Sequence, residues 1–150
     1  MIAVNSQVVE NRNFSQMQKK SPSAHVLVVD DEALIRWSLS ETLSDCGYDV
    51  QETGDGAGAR SAVRDAGEAF DVVLLDFRLP DSEDLALLAS LRQASPKTRI
   101  ILMTAYGTPE VVRGALELGA YRVVSKPFEM HDVASLVAEA AAARQSAPKQ

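Results

Sequence analysis

Five polar residues interrupt the apolar runs of this chain. Asp30 and Asp31 close HVLVVDD, Asp76 closes FDVVLLD, Thr104 lies near the end of TRIILMTA, and Lys126 follows YRVVS and precedes Pro127. Gathered in one place, three carboxylates repel one another, which raises their proton affinity. A hard divalent cation relieves that repulsion. Mg²⁺ takes oxygen ligands in octahedral geometry at ~2.0–2.1 Å and keeps several waters. One carboxylate can then act as a nucleophile, because aspartyl phosphates are known covalent intermediates. Lys126 supplies a point charge for phosphoryl oxygens, and Thr104 a short hydroxyl donor. Metal, cation and donor together are the electrostatic kit of phosphoryl transfer. Singly, each residue also has an ordinary structural role. Asp30 or Asp31 could cap the next helix, Asp76 could form an Asx-turn, Thr104 could simply end a strand, and Lys126 could be a solvated loop charge. Four separate strand ends carrying the needed residue types favour a shared site.

These residues meet only if the fold brings the strand ends to one edge. From Ala24 onward the pattern alternates between short apolar runs and helical stripes. After HVLVV, Ile35, Leu39, Leu43 and Cys46 form a stripe closed by Gly47. YDVQET reads as a second strand, followed by Ala59, Ala62, Val63 and Ala66 on one helical face. FDVVLLD is a third strand, then Leu85, Leu88 and Leu91 mark a helix that Pro96 follows. TRIILMTA is a fourth strand. Its helix carries Thr108 as N-cap, Pro109 at the first position and Gly119 past the end. YRVVS is a fifth strand, and Val133, Leu136, Val137 and Ala140 mark a last helix. Nearly continuous Val/Ile/Leu strands are buried on both faces, so the sheet should be parallel with helices on both sides. The expected fold is α/β, a doubly wound five-stranded parallel sheet with five helices. Such sheets bind ligands at the carboxyl ends of their strands.

The composition fits that domain. The chain has 150 residues, 46% of them apolar, enough for one real core. Twenty-one acidic and 15 basic residues give a net charge of −6, so no basic face for direct nucleic-acid binding is expected. Cys46 is the single cysteine and cannot form an intrachain disulfide. No apolar run approaches a membrane span, and the start lacks the pattern of a signal peptide. A cytoplasmic protein without membrane contact is expected. Residues 1–23 read as a flexible N-terminal extension, 24–144 as the folded domain and 145–150 as a flexible tail.

The segments VLVVDDE, VVLLDFRLPD, IILMTAYG and VVSKPF resemble, in order and spacing, the response-regulator receiver domain of two-component signalling. The resemblance implies a flavodoxin-like sheet of order 2-1-3-4-5. It implies Asp76 as phosphoacceptor and Mg²⁺ ligand, Asp31 as a direct Mg²⁺ ligand, and Asp30 as holding the metal directly or through water. The Arg78 backbone carbonyl completes that set. Thr104 and Lys126 bind the phosphoryl group, and Lys126–Pro127 is cis. The implied donor is a sensor histidine kinase or phosphotransfer protein, with small phosphodonors also able to serve. The implied output is a change on the helix 4–strand 5–helix 5 face, read by a partner protein or a second copy. The chain would be no enzyme beyond its self-catalysed phosphorylation and dephosphorylation. IILMTAYGTPEVV and GAYRVVSKPF most resemble receivers fused to AAA+ transcription activators. Two readings therefore stand, a stand-alone receiver and a fragment cut from a larger AAA+ DNA-binding activator.

Three positions depart from the family's pattern. Val123 stands three residues before Lys126, where many receivers carry an aromatic that swings inward. Tyr106 is a candidate substitute. Asp81 and Asp84 stand near positions usually held by glycine, and are expected to be solvated turn residues. Arg78 and Tyr106, two residues beyond Asp76 and Thr104, are bulky and expected to crowd water attacking an acyl phosphate. Arg78 also argues against a dehalogenase-type hydrolase, which needs a second Asp there as its acid/base. The intact acidic pair, Asp76, Thr104 and Lys126 argue against a pseudo-receiver.

Overall fold

The computed structural model describes residues 24–146. The expected extension 1–23 and residues 147–150 of the expected tail lie outside the described residues. The elements alternate throughout: β1 (His25–Val29), α1 (Ala33–Asp45), β2 (Asp49–Thr53), α2 (Gly56–Asp65), β3 (Val72–Asp76), α3 (Ala86–Ala94), β4 (Arg99–Thr104), α4 (Pro109–Glu117), β5 (Arg122–Ser125) and α5 (Met130–Ser146). Helix α5 thus continues two residues past the expected domain end at Arg144. All strand pairs are parallel and the sheet order is β2-β1-β3-β4-β5, as the resemblance implies.

The period-two alternation of the three central strands builds two cores. Leu27, Val29, Val73, Leu75, Ile100 and Leu102 pack with Ala59, Ala62, Leu87, Leu88, Leu91 and Ala115, which belong to α2, α3 and α4. The intervening residues Val26, Val28, Val72, Leu74, Ile101 and Met103 pack with Leu39 and Leu43 of α1 and Val133, Val137 and Ala140 of α5. Each fully buried aliphatic side chain contributes about 1.5–3 kcal/mol. The central strands therefore hold their register firmly, because a one-residue slip would turn every side chain to the wrong face.

Helix ends follow local chemistry. Thr108 caps α4 by accepting from the Val111 N–H at 3.2 Å, with Pro109 in the first turn. Gly47 and Gly119 sit at φ 95° and 98°, past the ends of α1 and α4, where a side chain would be strained. Two expected helix faces differ from the structure. Cys46 is exposed. It lies beyond the last residue of α1, where the chain already turns toward Gly47, and Tyr48 packs on that core instead. Leu87 is buried along with the expected Leu88 and Leu91, while Leu85 is only partly buried. The apolar face of α3 is wider than a single stripe because α2 shares its core.

Candidate functional site

The carboxyl ends of β1, β3 and β4 end side by side, and β5 leads directly into the lysine. The Asp30 N–H bonds the Thr53 carbonyl, the Phe77 N–H bonds the Met103 carbonyl, and the Lys126 N–H bonds the Thr104 carbonyl. These ladder bonds carry the sheet one residue past each strand, which fixes where the polar side chains begin. Asp30, Asp76 and Thr104 are buried, whereas Asp31 is exposed at the mouth. One oxygen each from Asp30, Asp31 and Asp76 lies within 4.8 Å of the others. Lys126 Nζ is 2.8 Å from Asp30 Oδ2, 3.3 Å from Asp76 Oδ2 and 3.3 Å from Glu32 Oε1. The Lys126–Pro127 bond is cis.

Charge in this pocket is unbalanced. Four carboxylates, those of Asp30, Asp31, Glu32 and Asp76, face one ammonium. Burial pushes the Asp76 carboxyl up and the neighbouring Asp30 charge adds to it. Lys126 and the Arg78 N–H pull it partly back, leaving it at about 6. Burial alone would lower Lys126, but the Asp30 hydrogen bond and the charges of Asp76 and Asp30 outweigh it, and its pKa rises. An all-oxygen donor set with surplus negative charge fits a hard divalent cation such as Mg²⁺. The capping alternative for the acidic pair is not what forms. Glu32 is the N-cap of α1 and makes no side-chain cap bond. Asp30 Oδ1 instead accepts from the Glu32 N–H at 2.9 Å. Asp76 does accept from the Arg78 N–H, at 3.4 Å, so its turn role coexists with its place in the cluster.

A match to the response regulator receiver domain family covers residues 26–138. The chain belongs to the response-regulator receiver family. The receiver is 35% identical over 115 residues to the DNA-binding transcriptional regulator NtrC of Escherichia coli, covering 77% of this chain and 24% of that protein. It is 32% identical over 112 residues to sporulation initiation phosphotransferase F of Bacillus subtilis, covering 75% of this chain and 89% of that protein. Among solved structures, the CheY-like receiver domain protein of Methanospirillum hungatei superposes with a TM-score of 0.79 at 25% identity, covering 84% of this chain and 99% of that one. The chain spans about a quarter of the length of the NtrC relatives it matches.

Around this receiver's acidic cluster, several residues act that their types alone did not reveal. Glu32 shares Lys126 with Asp30 and Asp76. Arg36, one turn into α1, donates to the Asp30 carbonyl at 2.6 Å and pairs with Glu52 of β2 at 3.3 Å. Their position just after the acidic pair was the available signal. Asp81 and Asp84 are solvent-exposed turn residues, as expected, and each also accepts bonds at a helix start. Asp81 accepts from the Gly56 N–H at 2.7 Å and the Ala57 N–H at 3.0 Å, and these bonds hold its carboxyl below the usual range. Asp84 accepts from the Ala86 N–H at 2.9 Å, at the start of α3. Both helix starts offer unpaired N–H groups, which a nearby carboxylate satisfies.

The two bulky neighbours lie together. The Arg78 guanidinium sits 5.6 Å from the centre of the Tyr106 ring, and that ring is largely exposed. The Tyr106 N–H donates to Thr104 Oγ1 at 3.2 Å. Val123 packs against the α2–α3–α4 core. Tyr121, the nearest aromatic in β5's direction, is turned to the other face, where its hydroxyl donates to Glu139 at 2.7 Å.

Proposed function

We propose that this receiver carries a phosphoryl group on Asp76, received from the phosphohistidine of a sensor kinase or phosphotransfer protein, in a reaction that needs Mg²⁺. The observation that carries this reading is the convergence of Asp30, Asp31, Asp76 and Lys126 from three strand ends onto one pocket. Asp30, Asp31, Asp76 and the Arg78 backbone carbonyl would hold the cation. When bound, it supplies positive charge that neutralises the acidic cluster and the incoming phosphoryl oxygens.

The side chains do the rest. With its charge matched, Asp76 is fully ionised at neutral pH, and one carboxylate oxygen attacks phosphorus. The P–N bond to the donor imidazole breaks, and the imidazole leaves with its electron pair and takes a proton. Lys126 turns from the carboxylates to the new phosphoryl oxygens. The Thr104 hydroxyl turns to donate to another oxygen, and that turn draws Thr104 Oγ1 away from the Tyr106 N–H it accepts from. That exchange transmits the event to the loop preceding α4, and so to the α4–β5–α5 face where a partner or second copy is received. Hydrolysis of the acyl phosphate by water at the same pocket resets the domain.

The test is incubation with radiolabelled acetyl phosphate. Label should enter the wild-type chain with Mg²⁺, fail to enter with a chelator, and fail to enter Asp76→Asn under either condition. Equal labelling of wild type and Asp76→Asn would refute the reading.

A further inference from the structure

Nine residues connect Asp76 to α3, and they are held at four points. Phe77 extends the β3–β4 ladder. The Arg78 N–H reaches back to Asp76. Leu79 and Ser82 bond each other in both directions, at 2.8 and 3.2 Å, and close a tight turn. Leu79 is buried in the core, and Asp81 sits at the outer corner of that turn. Its two carboxylate oxygens grip two successive N–H groups at the start of α2. Asp55 already satisfies the Gly58 N–H, so the first turn of α2 is closed by one local carboxylate and one distant one.

The far side of this grip is closely packed. Ala59 and Ala62 fix α2 in the core, and Gly58 lies so close to β2 that a Cβ there would meet Thr53 Oγ1 at 1.8 Å. The turn carrying Arg78 is therefore tied to the sheet at one end and to the packed start of α2 at the other. A Cβ on Gly56 would come to 3.0 Å from Asp81 Oδ1 and 3.2 Å from Leu87 Cδ2, so this contact leaves little slack.

We propose that Asp81 is a positioning residue for the phosphoacceptor loop: its two-oxygen clamp on the start of α2 holds the Arg78 backbone beside Asp76 and thereby sets how well the acidic cluster accepts Mg²⁺. This rests on the phosphoacceptor reading above. The clamp also makes α2 a listener. A cation that draws on the loop backbone must alter the Gly56 and Ala57 hydrogen bonds, although neither residue touches the pocket.

Amide NMR of the full chain during Mg²⁺ titration tests this with two readouts, affinity and the Gly56 and Ala57 resonances. In the wild type, Mg²⁺ should shift both amides along with those of the pocket. Asp81→Ala should weaken Mg²⁺ binding by about tenfold, the usual scale for a lost supporting contact at a metal site, and leave the Gly56 and Ala57 amides insensitive to Mg²⁺. Asp81→Asn, which keeps an oxygen acceptor without the charge, should fall between, and it replaces Asp81→Ala if that variant does not fold. Gly56→Ala crowds the same contact from the helix side and should weaken binding too, with no further loss when combined with Asp81→Ala. Asp84→Ala removes only the bond at α3 and should lower stability without changing Mg²⁺ affinity. Wild-type Mg²⁺ affinity in both Asp81 variants, with the Gly56 and Ala57 amides displaced by the substitution itself, overturns the clamp alone. Absence of Mg²⁺ binding by the wild type overturns the phosphoacceptor reading and the clamp's role with it.

Discussion

Asp76 is held where its charge is unfavourable even with Lys126 3.3 Å away. Its folded pKa is raised from 3.8 to about 6 by burial and by Asp30. Between these values the folded chain keeps a proton that the unfolded chain has lost. The stabilisation from that proton is complete below about pH 4 and is lost as pH rises through about 6. In metal-free buffer, Asp76→Asn should therefore be more stable than wild type at pH 7, by about 1–2 kcal/mol after solvent screening. The gap should close below pH 4, and denaturant melts across that range check it. A second residue-scale prediction concerns the Arg78–Tyr106 pair, whose members follow Asp76 and Thr104 by two residues. Replacing both with alanine should let water reach the acyl phosphate and speed dephosphorylation several-fold. An unchanged decay of labelled protein would show that the pair does not shield the site. The chemical residues themselves were legible in sequence, because each ends an apolar run. Asp81 was not, because its partners Gly56 and Ala57 lie far away in sequence and offer only backbone. Arg36 stands only six residues after Asp30, but its partner there is a main-chain carbonyl, which residue type does not point to.

At the scale of elements, the five strands and five helices follow directly from periodicity and caps. Thr108, Pro109 and Gly119 mark α4 correctly from end to end because capping chemistry is local. The positions misjudged are those decided by neighbours: Cys46, which the end of α1 turns outward, and Leu87, which the proximity of α2 buries. With valine rather than an aromatic at position 123, the proposed signal would pass through the loop before α4. There the Tyr106 N–H rests on Thr104. An apolar groove of about 690 Å³ lies beside it, lined by Gly107, Pro109, Val112 and Leu116 among others. Tyr106→Ala keeps the backbone N–H but removes the exposed ring that Arg78 sits over; if that ring carries the signal, the variant should lose most of the phosphorylation-induced amide shifts in α4 while still accepting label on Asp76. A full shift pattern in that variant would mean the signal travels another way.

For the whole molecule, the relevant quantity is the charge at one edge of a sheet whose three central strands are buried on both faces. A cation bound only by the folded state stabilises it by mass action, about 2.7 kcal/mol at a hundredfold excess over Kd. For a domain of this size that corresponds to a rise in Tm of roughly 10 °C. Mg²⁺ should produce such a rise in the wild type and little in Asp31→Ala. Asp31 is exposed, so its loss should cost little stability by itself. Equal rises in both proteins would place the cation elsewhere.

The most direct measurement is to locate the phosphoryl group by tandem mass spectrometry of peptides, after incubating the full chain with acetyl phosphate and Mg²⁺ and quenching quickly. A single phosphoryl mass on the peptide carrying Asp76, assigned to that side chain and absent when Mg²⁺ is chelated, is the expected result. Modification of another residue, or an unmodified Asp76 in a protein that binds Mg²⁺, would contradict it.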